Sequence, residues 1–75
     1  MGGDDVIVFD ARRRRRWEAY AIAGEYARDG YMRFVFEHDG DWYVSRTEPP
    51  YKLVRVVEAV IPSGYRYQRC IALDA

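Results

Sequence analysis

The sequence predicts a small α+β domain whose elements follow the order β-α-β-β-α-β. Three observations support the prediction: a β-branched apolar run near the start of the chain, a hairpin signal at Asp39-Gly40 and a helical apolar pattern at 50–61. The 75 residues suffice for one domain, 1–75, and a content of 49% hydrophobic and 32% charged residues is typical of globular chains. A core of this size rarely contributes more than about 3–5 kcal/mol, so self-association is a reasonable expectation.

The first strand is expected near 5–10 and the first helix over 11–28. The strand is predicted from four consecutive apolar residues at 6–9, most of them β-branched. Asp10 is suited to cap the helix, and the pair Asp29-Gly30 is suited to end it. The residues expected to share one face of this helix are Trp17, Tyr20, Ala21, Gly24 and Ala27.

The clearest hairpin is expected from strands at 31–38 and 41–46. Both segments are rich in aromatic and β-branched residues, and Asp39-Gly40 between them is a strong turn signal. One face of the first strand would carry Met32, Phe34 and Phe36, and the other would carry Tyr31, Arg33, Val35 and Glu37.

A second helix is predicted at about 48–61, and a last strand near 65–73. At 100° per residue one continuous arc collects Leu53, Val54, Val56, Val57, Val60 and Ile61. Thr47 is suited to cap this helix, and Pro62-Ser63-Gly64 is suited to end it. The whole order then resembles the ferredoxin-like arrangement, in which two helices cover one face of a four-stranded antiparallel sheet.

The first helix has an alternative interpretation. Alanines alternate at the strand period within 17–27, and Gly24 would cost roughly 1 kcal/mol inside a helix. A strand from Trp17 to Ala27 would make the protein a mainly-β meander with a single helix at about 48–61.

The net charge and the single cysteine indicate which partners and which cellular compartment suit the chain. Twelve basic and twelve acidic residues cancel, so no global field attracts nucleic acid or a membrane, and no apolar run is long enough to span a bilayer. The single Cys70 excludes an internal disulfide and fits a reducing compartment. With no signal-peptide pattern at the start, we expect a cytoplasmic protein.

Five consecutive arginines form the sharpest anomaly of the sequence. Arg12, Arg13, Arg14, Arg15 and Arg16 are followed directly by Trp17, and we call Arg12–Arg16 the arginine run. At the start of a helix these cations would meet the positive end of the macrodipole, at a cost of about 0.3–1 kcal/mol each. Positive charge concentrated despite this cost suits a phosphate or a partner's carboxylates. The alternative is a solvated helix start without a binding role.

The sheet face without helices is the second candidate surface. It would carry Tyr31, Arg33, Val35, Tyr43, Tyr65, Tyr67 and Arg69. Tyrosine and arginine suit stacked single-stranded bases or another protein, although the signature of RNA-recognition modules is missing. The alternative is that these side chains bury one another in a homodimer.

Catalytic, metal and cofactor patterns are missing from the sequence. His38 is the single histidine, with no second His or Cys at ligand spacing, and no nucleophile, Walker or dinucleotide motif is present. We therefore expect a non-enzymatic protein-binding domain without a cofactor, acting as a small regulator, adaptor or inhibitor by docking or occlusion. Phage-encoded inhibitors of host nucleic-acid machinery offer an analogy. The alternative function is a single-stranded nucleic-acid-binding module that uses the arginine run and the sheet tyrosines.

Overall fold

The computed structural model describes residues 8–50, 52, 54, 56–62 and, by backbone alone, 66–70. The elements are β1 (Ala11–Arg13), α1 (Arg16–Arg28), β2 (Arg33–His38), β3 (Asp41–Ser45), β4 (Val56–Val60) and β5 (Arg66–Cys70). They form a five-stranded sheet of order β1-β3-β2-β4-β5, antiparallel throughout, with α1 packed against one face. The predicted α+β class is confirmed.

The predicted hairpin is confirmed, with β2 and β3 paired from Phe34↔Ser45 to His38↔Asp41. Its turn places Asp39 at φ 53° and Gly40 at φ 84°. Two consecutive positive φ angles are typical of the two-residue turn that Asp-Gly favours, because its twist matches that of the flanking strands. The turn therefore sets the register of the hairpin.

The first helix is confirmed against its strand alternative, but it begins five residues later than expected, at Arg16 instead of residue 11. Asp10 does not cap it: the residue before the helix is Arg15, which makes no side-chain capping hydrogen bond. The expected end at Asp29-Gly30 is confirmed. Gly30 has φ 94°, its N–H donates to the Ala27 carbonyl at 3.0 Å, and the Tyr31 N–H donates to the Tyr26 carbonyl at 2.9 Å.

The first strand lies later in the chain than expected. Residues 8–10 are outside β1, which is Ala11–Arg13, and the part of the prediction at 5–7 lies outside the described residues. Because β1 and β2 are both antiparallel to β3, they run in the same direction, and α1 connects them across the intervening strand. This part of the fold is a split β-α-β unit.

The second helix is wrong, and the ferredoxin-like arrangement is not confirmed. Val56–Val60 forms β4, paired with β2 on one side and β5 on the other, and the described residues contain no second α-helix. Val57 and Ala59 are buried on one face, and Glu58 and Val60 on the other. A strand buried on both faces is a continuous apolar run, which helical and strand periods describe equally well.

The connection from β3 to β4 is described at residues 46–50, 52 and 54, none of which lies in an α-helix, and the part of the second-helix prediction at 51, 53 and 55 lies outside the described residues. Its described residues Pro49 and Val54 are buried, and Val54 packs with Phe36 and Val57 on the face opposite α1. Thr47 caps no helix there, and its carbonyl instead accepts the Ser45 hydroxyl at 2.6 Å. The predicted last strand at 65–73 is confirmed over β5, while its two ends lie outside the described residues.

The sheet therefore separates two apolar layers. Beneath α1 lie Ala19, Ala23, Ala27, Val35, Val44 and Val60; opposite it lie Phe34, Phe36, Tyr43, Val54, Val57 and Ala59. The expected helix face is right in part: Ala27 is buried against the sheet and Tyr20 packs beside it, whereas Trp17 is 66% exposed and Ala21 is exposed. The stripe that faces the sheet is Ala19, Ala23 and Ala27. Small side chains at every fourth position let the helix approach the sheet closely. No helix in the described part of the chain has the length and apolarity to cross a bilayer.

Candidate functional site

The arginine run is divided among three local structures. Arg12 and Arg13 are the last two residues of β1, Arg14 and Arg15 form a bend, and Arg16 is the first residue of α1. The five cations therefore do not share one environment. The contacts of each arginine show which side chains stabilise the fold and which are exposed to solvent.

The two strand arginines are partly occupied by their surroundings. The Nε atom of Arg12 lies 3.5 Å from Oδ2 of Asp41, in an ion pair whose side chains are 59% and 31% exposed. Nη1 of Arg13 donates to the Arg12 carbonyl at 2.8 Å. An ion pair this exposed contributes at most about 1 kcal/mol, so Arg12 is not strongly held.

Arg14 and Arg15 are exposed, and neither makes a side-chain ion pair or hydrogen bond to the part of the chain that the structure describes. The Arg15 carbonyl accepts the first helical N–H groups, from Glu18 at 3.1 Å and Ala19 at 3.4 Å. The two guanidinium groups therefore flank the positive end of the helix macrodipole. Glu18 in the first turn opposes that excess of positive charge.

Arg16 is held by aromatic rings. Its guanidinium carbon lies 5.3 Å from the ring centroid of Tyr20 and 5.4 Å from that of Trp42. The two rings are 6.5 Å apart and inclined at 47°. Each cation–π contact of this kind contributes about 0.5–1 kcal/mol at an exposed site, and more when water is excluded. Arg16 thus belongs to the fold as well as to the surface.

On the sheet face that α1 covers lies a buried acid, Glu58, which the sequence did not lead us to expect. Glu58, in β4, is 2% exposed and pairs across the sheet with Val35. Burial raises the pKa of the Tyr20 phenol above 10.0, and the hydrogen bond and negative charge of Glu58 raise it further, whereas Arg16 opposes both effects. In the sequence, Glu58 stands out as the single acid within the apolar run Val56–Val60. The helical interpretation placed this residue on the solvent side.

Trp17 completes the exposed part of this region. Its side chain is 66% exposed, and a shallow depression of about 650 Å³ is lined by Arg15, Arg16, Trp17 and Tyr20. We call Arg14, Arg15, Arg16 and Trp17 the arginine–tryptophan surface. It combines a large flat ring, two guanidinium groups without described partners and a third that is held in place.

The expected open sheet face is wrong. Val35 is fully buried beneath α1, Arg33 is 8% exposed, and Tyr43 is 7% exposed on the opposite face, stacked on Phe36 at 5.3 Å and met edge-on by Phe9 at 4.9 Å. Tyr43 pairs with Phe36 in the hairpin register, so it lies on the opposite face from Arg33 and Val35. Burial, and not an open platform, is the environment of these three side chains.

Of the other residues expected on that face, Tyr31 is 59% exposed and follows α1 directly. Tyr65 lies outside the described residues, and Tyr67 and Arg69 lie on β5, of which the backbone alone is described. A binding role for these residues stays a prediction. The described tyrosines do not form a common surface.

Arg33 illustrates a structural use of the same chemistry. Its Nε atom lies 2.9 Å from Oδ2 of Asp10, Nη1 donates to the Met32 carbonyl at 2.9 Å, and the guanidinium carbon is 4.1 Å from the centroid of Tyr26. Asp10 therefore serves as the acid partner of Arg33 in place of the capping role expected for it.

Nε2 of His38 lies 3.3 Å from Oδ2 of Asp39. Within the described residues no group of three or more His, Cys, Asp or Glu side chains is placed to hold a metal ion. Comparison with protein-family models, characterised proteins and solved structures gives no match for the chain.

Proposed function

We propose that the chain is a non-enzymatic protein-binding domain, a small regulator, adaptor or inhibitor, that docks its arginine–tryptophan surface on an acidic region of a partner protein. One observation supports this most directly. Trp17 is 66% exposed beside Arg14 and Arg15, both exposed and without ion pairs in the described part of the chain. Tryptophan and arginine are the residue types that most often dominate the energy of protein interfaces.

The chemistry of the surface specifies an acidic partner. Guanidinium groups bind carboxylates through paired hydrogen bonds, and charge-assisted hydrogen bonds are roughly twice as strong as neutral ones. The two contacts of Arg16 with Tyr20 and Trp42 restrict its guanidinium before binding, so less side-chain entropy is lost when a partner arrives. A net charge of zero favours a local, specific contact over general attraction to polyanions.

The way such a domain would act is by occlusion or recruitment. Docking covers part of the partner's surface and requires no chemical step from the chain. The reducing cytoplasm is the compartment that its single cysteine suits.

The test compares two double variants with equal net charge. Arg14→Gln/Arg15→Gln removes the two exposed cations that have no ion pair among the described residues, and Arg28→Gln/Arg46→Gln removes two exposed cations elsewhere. The probe is a fluorescent peptide rich in Glu and Asp, titrated at low salt and at about 0.15 M salt. We expect the first variant to bind about tenfold more weakly than wild type and the second to bind like wild type. Equal loss in both variants would show nonspecific charge attraction and would reject the proposal.

Trp17→Ala in the same titration tests the aromatic part of the surface. We expect a loss of about tenfold, because an exposed tryptophan at an interface centre commonly contributes more than 1 kcal/mol. Met32→Ala is the matched control, since Met32 is also an exposed large apolar residue but lies after the opposite end of α1.

The second candidate is a single-stranded nucleic-acid binder, favoured by the exposed Trp17 ring, on which a base could stack beside the cations. The burial of Tyr43 at 7% exposure removes one of the proposed stacking residues, which lowers the weight of this alternative. A short oligothymidylate replaces the peptide in the same titration. Tighter binding of the oligonucleotide than of the peptide, with affinity falling steeply as salt increases, would favour nucleic acid.

A further inference from the structure

The strand that carries the start of the arginine run is at the end of the sheet. β1 pairs with β3 on one side, and no strand in the described part of the chain pairs with its other side. An edge strand presents backbone donors and acceptors that an extended peptide can use. Arg12 and Arg13 lie on this edge, and Arg14 follows immediately.

The register places cations on both faces of the edge. Arg12 is paired with Tyr43, whose face is opposite α1, and Arg13 is paired with Trp42, which packs on the helix side. Side chains of directly paired residues point to the same face of a sheet. An extended segment beside β1 would therefore meet a guanidinium on each face, and carboxylates at its successive positions would be matched.

The same arrangement disfavours a second copy of the chain at this edge. Pairing two β1 strands would place one arginine run beside another, and like charges directly opposite in a sheet are destabilising. Short, charged edges are a common means of preventing uncontrolled strand pairing. The positive charges of Arg12 and Arg13 disfavour a second basic strand beside β1 and favour an acidic one.

We propose that the partner contributes an acidic segment which adds to the sheet as an extended strand beside β1. This inference rests on the proposed function and names the partner's chemistry and its mode of binding. Backbone hydrogen bonds to β1 would supply one part of the affinity, and carboxylates facing Arg12, Arg13 and Arg14 would supply the other. The chain reaches Trp17 four residues after Arg13, so the aromatic ring would contact the segment where it passes the end of β1.

The experiment uses three peptides of equal length and the full chain. The first carries pairs of consecutive Glu residues between Val residues, so that an extended conformation presents carboxylates on both faces; the second is identical but methylated at each backbone nitrogen of its centre; the third replaces Glu with Lys. We expect the first peptide to bind at least about tenfold more tightly than the methylated one, because methylation removes the backbone donors and keeps the charge. The Lys peptide should not bind.

Amide hydrogen exchange supplies the second measurement. Binding of the Glu-Val peptide should slow exchange at the amides of Ala11–Arg13, and the hairpin turn Asp39-Gly40 serves as the internal control. Equal affinity of the methylated and unmethylated peptides, with loss of both in Arg14→Gln/Arg15→Gln, would reject strand addition and leave the proposed function standing. Failure of both acidic peptides to bind would reject the two proposals together, and tighter binding of an oligothymidylate would assign the surface to nucleic acid.

Discussion

Both ends of α1 place arginine against aromatic rings, but the two regions differ in what they leave exposed. After the C-terminal end, Arg33 is 8% exposed and is occupied by Asp10 and Tyr26. At the N-terminal end, Arg14 and Arg15 remain exposed beside Trp17. The difference shows that residue type alone does not mark a binding site. A guanidinium held by an ion pair and an aromatic ring, as in Arg33, stabilises the fold. The exposed guanidiniums of Arg14 and Arg15 have no such contacts within the part of the chain that the structure describes.

The largest effect should come from Arg33→Met. Removing the guanidinium leaves the Asp10 carboxylate, whose side chain is 26% exposed, without its cation. We expect a loss of about 3 kcal/mol in the free energy of unfolding, the lower end of the range for breaking a buried ion pair. Urea unfolding measures it, with Arg28→Met as the exposed control, expected within about 0.5 kcal/mol of wild type. A loss of unfolding free energy no larger than that of Arg28→Met would mean that Arg33 does not stabilise the fold.

Glu58→Gln should have the next largest effect. The substitution keeps the shape of the side chain and removes its negative charge. That charge raises the pKa of the Tyr20 phenol, whereas the charge of Arg16 lowers it. We expect a loss of about 1–2 kcal/mol in the free energy of unfolding, because a hydrogen bond to a charged group is replaced by a weaker one. Glu25→Gln, at an exposed position of the same helix as Arg16, is the control. Equal stability of the two variants would contradict a structural role for the buried carboxylate.

The same cluster predicts a response to alkaline pH. The pKa of Tyr20 in the folded chain lies above 10.0, chiefly because burial disfavours the phenolate. Its contribution to stability is therefore complete below pH 10.0 and is lost as pH rises through the folded pKa. Tyr20→Phe should show a smaller fall in stability with rising pH than wild type, measured by thermal unfolding. The exposed Tyr31→Phe variant is the control, and a fall as steep in Tyr20→Phe as in wild type would contradict the prediction.

Local signals predicted the parts of the fold that depend on a few neighbouring residues. Asp39-Gly40 and Asp29-Gly30 were interpreted correctly because each requires positive φ, which glycine adopts without a steric penalty. The positions of β1 and β4 depend on distant pairing partners, and no local pattern contains that information. Val56–Val60 is buried on both faces, so its apolar run carries no alternation to distinguish strand from helix.

The candidate site was predictable in composition and not in arrangement. The arginine run and Trp17 stand out in the sequence, but their separation into a strand end, a bend and a helix start follows from where α1 begins. The expected helix face was right at Ala27 and wrong at Trp17 and Ala21, which are exposed, because the stripe that packs on the sheet is Ala19, Ala23 and Ala27. The burial of Glu58 was not predicted for the same reason that β4 was not: Val35 and Tyr20, the residues near it, are distant in sequence.

The smallest predicted effect on the free energy of unfolding distinguishes the proposed binding residues from the structural ones most clearly. Arg14→Gln/Arg15→Gln removes two cations beside the positive end of α1, where each costs about 0.3–1 kcal/mol at low salt. We therefore expect this variant to unfold at slightly higher urea concentration than wild type, while its affinity for the acidic peptide falls. The gain should shrink as salt rises, because screening weakens the interaction with the macrodipole. Arg28→Gln/Arg46→Gln should lose stability slightly instead, since Arg28 lies in the last turn, where a cation is favourable. Destabilisation by Arg14→Gln/Arg15→Gln would show that these arginines hold the fold together, and the contrast between the two ends of the helix would then disappear.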